Sequence, residues 1–404
     1  MKKLLALAAV LATFASVSYA QTISLKNFQL YGEGQIIGTN NGNTGNVKAN
    51  ALLGLTFDVA NNVKAAMALG YSSFWGENQL SGKPIDMDIL GATPSDGYLN
   101  TLRVVELNLT VDKLFNVDGL NTKIGRQFYG SEDSTVMYFG VRHGGNSLKF
   151  GSAVTSLDAL TVNYDTNNVK ASAIYAQMNE NVTGTMPHAP ELTGVDVKVS
   201  NIAKMVNVEA YVYDAKHPTF LAVNDYGIMG IKPSVQFQGL TASLELARNS
   251  TSNIRNLGSS LIKFDVAYDI KEVGLTPRFT YFAAGGAGKS FVTFGNYVPG
   301  IVGFNLINQD AAGNNTITYS NAQVVNIGVD YNSIKNLVLS LDYFHYSLRD
   351  NPANVGGNGE LALQANYALN DNIGLYAGVG EYIATNVNFG SDGIVRGGVS
   401  YKLK

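Results

Sequence analysis

The sequence predicts an all-β fold: a transmembrane antiparallel β-barrel of about eighteen strands, with short turns at one rim and long loops at the other. Three observations predict it. Apolar and polar residues alternate over stretches of roughly 8 to 10 residues, the period of a strand and not of a helix. Tight polar turns and long polar or glycine-rich connections take turns between those stretches. The chain also opens with an export segment, and only 15% of its 404 residues are charged, against roughly 25% in an ordinary soluble domain.

In the export segment, Lys2 and Lys3 precede an apolar run from Leu4 to Val17, and Ser18-Tyr19-Ala20 has the small-x-small spacing of a cleavage site. Residues 1–20 are therefore expected to be a signal peptide that is removed, leaving residues 21–404 as a single transmembrane barrel domain. The apolar run is shorter than the roughly 20 residues a helical span requires. Gln21, not a cysteine, follows the cut, so no lipid anchor is expected. Cysteine is absent from the whole chain, which excludes disulfides, thiolate metal sites and cysteine nucleophiles.

Strands are expected near 28–37, 47–59, 63–72, 101–112, 120–129, 157–165, 169–177, 192–200 and 206–214, and then near 226–236, 240–248, 262–270, 275–283, 323–331, 337–346, 359–369, 373–382 and 394–403. In the third, Val63, Ala65, Met67, Leu69 and Tyr71 alternate with Lys64, Ala66, Ala68, Gly70 and Ser72. Asn61-Asn62, Thr166-Asn167-Asn168, Glu272-Val273-Gly274 and Asn370-Asp371-Asn372 have tight-turn chemistry between such runs. Long connections fall near 73–100, 131–156 and 284–321. An even strand count brings both termini to the short-turn rim, as in bacterial outer-membrane barrels.

The second face of these strands decides between a packed core and a pore. It mixes Gly, Ala, Ser and Asn with Glu33, Glu106, Glu209 and Arg278, and such charges are not buried without partners. That face calls for water and the apolar one for hydrocarbon. Hydrocarbon permits no open sheet edge, so the sheet must close, and about eighteen strands enclose an aqueous channel. Tyr71, Tyr164, Tyr175, Tyr268, Tyr281, Tyr331, Tyr343, Tyr367 and Tyr401 lie at or near strand ends, where interfacial girdles form. In the last strand Val395, Gly397, Val399, Tyr401 and Leu403 share a face, like a C-terminal barrel-assembly signal, although the chain ends at Lys404 and not at an aromatic residue.

Arg103-Val104-Val105-Glu106-Leu107-Asn108-Leu109, followed by Lys123-Ile124-Gly125-Arg126-Gln127, resembles an early hairpin of alginate-export-type outer-membrane porins. Gly359-Glu360-Leu361-Ala362 through Tyr367 resembles a late strand of that family, with Ala362 where an acidic residue is more typical. The resemblance covers about a tenth of the chain. It implies an eighteen-stranded pore, and it carries over positions only at Glu106 and Gly125-Arg126-Gln127. With eight arginines the chain is poorly equipped for an arginine-lined polyanion conduit.

Read from the residues, the expected function is a passive outer-membrane channel for small hydrophilic solutes or ions, with outer-membrane lipid around it, as a homotrimer or monomer. The expected pore-lining set is Glu33, Gln35, Glu106, Asn108, Arg126, Glu209, Tyr211, Lys263, Asp265 and Arg278. Arg126 belongs to it only if a bulge or register shift overrides its alternation with Ile124 and Phe128. The connection 131–156, with Glu132, Asp133, Arg142 and His143, is the candidate constriction loop. No cofactor, metal or catalytic residue is expected. Gly285-Gly286-Ala287-Gly288-Lys289-Ser290 fails as a phosphate loop because Ala283 stands where glycine is required. Glu77, Asp86, Asp88 and Asp96 read as a solvated acidic loop, and His143, His188, His217 and His345 are scattered without zinc spacing. Near-balanced charge excludes a nucleic-acid field, and the mature net charge of −5, 26 basic against 31 acidic residues once Lys2 and Lys3 are removed, favours mild cation preference. A surface adhesin or structural barrel, and a hydrolase using Asp133, His143 or His217 at the rim, are the alternative classes.

Overall fold

A computed structural model describes residues 26–40, 45–76, 101–141, 155–177, 191–216, 226–251, 258–286, 289–295, 297, 299–300, 307–309, 317–350, 358–384 and 393–403. Eight hairpins turn tightly at one rim. The first four are β2 (Gly45–Ala60) with β3 (Val63–Gly76), β4 (Thr101–Val111) with β5 (Leu120–Gln127), β8 (Leu157–Asp165) with β9 (Val169–Gln177), and β10 (Glu191–Ile202) with β11 (Val206–Lys216). The rest are β12 (Tyr226–Phe237) with β13 (Leu240–Thr251), β14 (Ser260–Tyr268) with β15 (Leu275–Gly285), β19 (Ala322–Tyr331) with β20 (Leu337–Leu348), and β21 (Asn358–Ala368) with β22 (Ile373–Ala384). β1 (Lys26–Asn40) pairs antiparallel with both β2 and β23 (Ile394–Leu403). Gly32 stands opposite Leu403 and Asn40 opposite Val395, which closes an 18-stranded ring.

The turns follow from local chemistry. Gln238 and Gly239 both have positive φ, 45° and 86°, the two-residue geometry whose twist matches an antiparallel pair and which glycine adopts freely. The β4–β5 turn holds a short 3-10 segment, Leu114–Asn116, beside a Lys113–Asp118 ion pair of 2.7 Å. Strand ends shift by up to four residues from expectation, and two differences bear on the lumen. β4 carries a bulge between its pairings Ala68↔Glu106 and Leu69↔Val104. β5 stops at Gln127, because the chain then leaves the wall.

Register assigns the faces, since directly opposed residues project to the same side. Leu30, Leu53, Val212, Ile327 and Val395 point outward and are at least half exposed. Tyr71, Tyr164, Tyr175, Tyr268, Tyr281, Tyr331, Tyr343, Tyr367 and Tyr401 share that outer face. Tyr164, Tyr268, Tyr331, Tyr367 and Tyr401 lie toward the short-turn rim, and Tyr71, Tyr175 and Tyr281 toward the other. An apolar belt of this extent is foreign to a water-soluble monomer. It suits hydrocarbon, where pairing β1 with β23 leaves the sheet no open first or last strand.

The principal buried apolar cluster lies inside the barrel and not between two sheets. It joins wall residues such as Leu157, Ile174, Leu192, Tyr213, Ile228, Leu261, Phe282 and Tyr346 to residues of two connections that fold inward. One connection contributes β6 (Tyr129–Gly130) and β7 (Tyr138–Phe139). The other contributes a three-stranded sheet of β16 (Ser290–Thr293), β17 (Ile307–Gln309) and β18 (Ile317–Ser320).

Candidate functional site: the loop-lined lumen

The two inward connections are zipped together. Phe294 N–H donates to the Val136 carbonyl (3.0 Å), and Tyr138 N–H donates to the Phe294 carbonyl (2.9 Å). The Thr293 hydroxyl lies 2.8 Å from the Thr135 carbonyl and 2.7 Å from that of Val136, within donating distance of both. Phe139 and Phe294 pack with ring centroids 5.7 Å apart. Both connections are also tied to the wall. The Tyr129 hydroxyl donates to Asp196 on β10 (2.6 Å), which also accepts from Tyr213 (3.3 Å). The Asn249 side chain on β13 pairs with the Val292 backbone in both directions, at 3.1 and 2.9 Å.

The wall around this insert carries opposed charges. On adjacent strands Lys198 faces Lys170 and Glu209, Glu209 faces Lys232, and Glu245 faces Lys263, all on the inner face. Lys263 lies 3.1 Å from Asp265 and 4.4 Å from the centre of the Tyr297 ring, so one cation touches both the wall and the second connection. Burial and the charge of Asp265 push the Tyr297 phenol up. Burial also tends to raise the Asp133 carboxyl. A hydrogen bond from Ser131, the charge of Lys232, its own backbone amide and the charge of Lys263 outweigh that and hold it below the usual carboxylate range. Asp133 thus points its charge at the lysine-bearing side of the bore.

Of the expected lining residues, Glu33 and Gln35 face inward on β1, Glu33 opposite Lys402 and Gln35 opposite Asn50. Glu106 accepts a hydrogen bond from Tyr31. Asn108 donates to the Arg126 carbonyl (2.9 Å). Glu209 and Tyr211 face inward on β11, and the Tyr211 hydroxyl donates to Glu245 (2.7 Å). Arg278 spans Asp330 (2.9 Å) and Asp342 (3.1 Å), where Asn326 also donates to Asp342 (3.1 Å). Lys263 and Asp265 are brought together with Asp133, while Glu33, Gln35 and Arg278 stand elsewhere on the wall.

Arg126 is a correction. It is opposite Leu107 and Asp158 in an unshifted register, and Leu107 is 44% exposed on the outer face. The β4 bulge lies at Val105, beyond the last β4–β5 pairing, so it does not turn Arg126 inward. Glu132 is exposed on the inward connection beside Asp133. Arg142 and His143 lie outside the described residues, as do Glu77, Asp86, Asp88, Asp96, His188, His217 and residues 1–20. Gly286 and Lys289 bridge as a tight extension leading into β16, so the glycine-rich run feeds a strand where a phosphate loop would feed a helix.

Several inner-face residues went unselected from the sequence. Lys198, Lys232, Glu245, Asp342 and Glu360 sit on the polar parity of strands whose ranges were legible, so alternation alone could have found them. The Thr293–Val136 zip joins residues 157 apart, and no local pattern signals it.

No family model and no curated protein matches the sequence. The fold does match solved structures. Pseudomonas aeruginosa opdK, an outer membrane protein, aligns with TM-score 0.61 at 12% identity, over 93% of this chain and 99% of its own. Pseudomonas aeruginosa OccK5 (OpdH) gives 0.60 at 12% identity over 93% and 98%. A BenF-like porin from Pseudomonas fluorescens Pf-5 gives 0.58 at 11% over 94% and 99%. At these identities the similarity establishes the barrel fold. The resemblance to alginate-export-type porins gains no support from these matches.

Proposed function

We propose that the protein is a bacterial outer-membrane porin, a water-filled channel through which small hydrophilic solutes or ions diffuse passively, without cofactor or covalent chemistry. The observation that carries this reading is the division of faces: exposed apolar side chains outside a closed eighteen-stranded wall, and Glu33, Glu209, Lys232, Lys263 and Arg278 inside it. Charge in such a bore acts on passing solutes at close range. In this reading residues 1–20 are the export signal and 21–404 the barrel. Glu33, Gln35, Glu106, Asn108, Glu209, Tyr211, Lys263, Asp265 and Arg278 line the channel, and the zipped connections bearing Glu132 and Asp133 narrow it. Lysines alternate with carboxylates around the narrow region, so the cation preference suggested by net charge is weak.

Refolded protein in planar bilayers is expected to give reproducible open-channel steps, with a reversal potential in a salt gradient slightly on the cation side. A correctly folded barrel that stays electrically silent would move the reading to a surface or adhesive role. Clear anion preference would refute the selectivity.

A further inference from the structure

The run Gly125-Arg126-Gln127 ends β5 at the point where the chain leaves the wall and enters the lumen, one residue before Phe128 and two before β6. Gly125 has φ +117°, and a Cβ there would meet the Leu107 carbonyl oxygen at 2.3 Å, so the backbone approach requires glycine. Gln127 faces inward, 1% exposed, donating to the Ala159 carbonyl (2.9 Å) and accepting from Thr161 (3.1 Å). Arg126 faces the opposite way. Its Nε and Nη2 donate to the two carboxylate oxygens of Asp158 at 2.8 and 2.9 Å, and its Nη1 donates to the Val104 carbonyl at 3.2 Å.

That carbonyl belongs to a stretch of β4 that β5 no longer accompanies, since the ladder between them runs only from Leu107 to Val111. The guanidinium therefore spans β8, β5 and β4 where the backbone ladder gives out. An arginine and an aspartate on an outer face shared with Ile124, Leu107 and Leu160 are unfavourable against acyl chains unless they are joined. A planar fork bonding a carboxylate with two donors and a carbonyl with a third is a task that lysine does not perform.

We infer that Arg126 is a positioning residue for the pore: working from the lipid side through Asp158 and Val104, it fixes where the inward connection 128–141 departs, and so sets the width of the bore without touching solute. Gln127 grips the same strand end from the lumen side. The inference rests on the reading that this connection narrows the channel.

The test is single-channel recording of the full-length protein in planar bilayers, with heat-modifiable gel mobility as the check of folding. Four proteins are compared: wild type, a loop variant with residues 131–137 replaced by two glycines, R126M/D158M, and D158N as the milder variant should the double one fail to fold. Loop shortening is expected to raise conductance. R126M/D158M is expected to recover at least half of that rise and to add flicker between levels, with D158N shifted the same way by less. If loop shortening raises conductance while folded R126M/D158M and D158N both behave as wild type, the positioning role is overturned and the constriction stands. If loop shortening itself changes nothing, the constriction reading fails and this inference fails with it.

Discussion

Asn249→Ala would release the second inward connection from the wall. Asn249 is 2% exposed, and its amide is the side-chain partner of both the N–H and the carbonyl of Val292, itself 6% exposed. Truncation leaves two buried backbone groups without these bonds, at about 1–3 kcal/mol each. Taking about 1.5 kcal/mol apiece gives about 3 kcal/mol, on the order of a hundredfold more frequent local opening. Amide exchange followed by mass spectrometry on peptides covering β16 should show that loss of protection, while peptides from β13 and β14 keep theirs. Asn249→Asp retains an acceptor for Val292 N–H but sets a buried carboxylate against the Val292 carbonyl, so at neutral pH it should loosen β16 at least as much as Asn249→Ala. Unchanged protection across β16 in Asn249→Ala would show that the zip to residues 135–138 holds this connection alone, and the latch would be refuted.

Arg278→Gln should destabilise the barrel by about 3 kcal/mol, near the low end of the range for breaking a buried ion pair, because Asp342 is 4% exposed while Arg278 and Asp330 retain contact with lumen water at 30% and 24%. The urea midpoint in lipid vesicles reports it, and an unmoved midpoint would contradict the bridging role. Asp133, held below its ordinary 3.8 in the folded state, supplies its stabilisation above that value and loses it as pH falls through the lower folded one. Open-channel noise should therefore stay flat from neutrality down to about pH 4 and rise only below it, with Asp133→Asn noisy throughout. A transition centred near pH 6 would contradict the assignment.

The wall was legible because strand periodicity, turn chemistry and closure all follow from local pattern. Tyr268, Tyr331 and Tyr367 alternate outward in the sequence as they do in space. Legibility ended where distance along the chain took over. Arg126 sits on a polar-looking segment, yet its parity is apolar, and Asp158, which makes that position tolerable, is 32 residues away. The inward fold of residues near 131 could be anticipated from loop length and charge. Its partner strand β16 could not, because the hydrogen bonds that join the two connections reach across more than 150 residues.

The meeting of β1 with β23 has a consequence for assembly. Every other neighbour in the ring is close in sequence, but this ladder waits for the whole chain, and until then two bare edges can capture foreign strands. Glu33 on one and Lys402 on the other are directly opposed once joined. While apart, each is a charge that discourages adventitious partners. On meeting, their opposite signs reward one alignment over a slip by a residue, which would put the two side chains on opposite faces of the wall, one of them toward the acyl chains. The same two residues thus guard the unfinished edges and proofread the final junction.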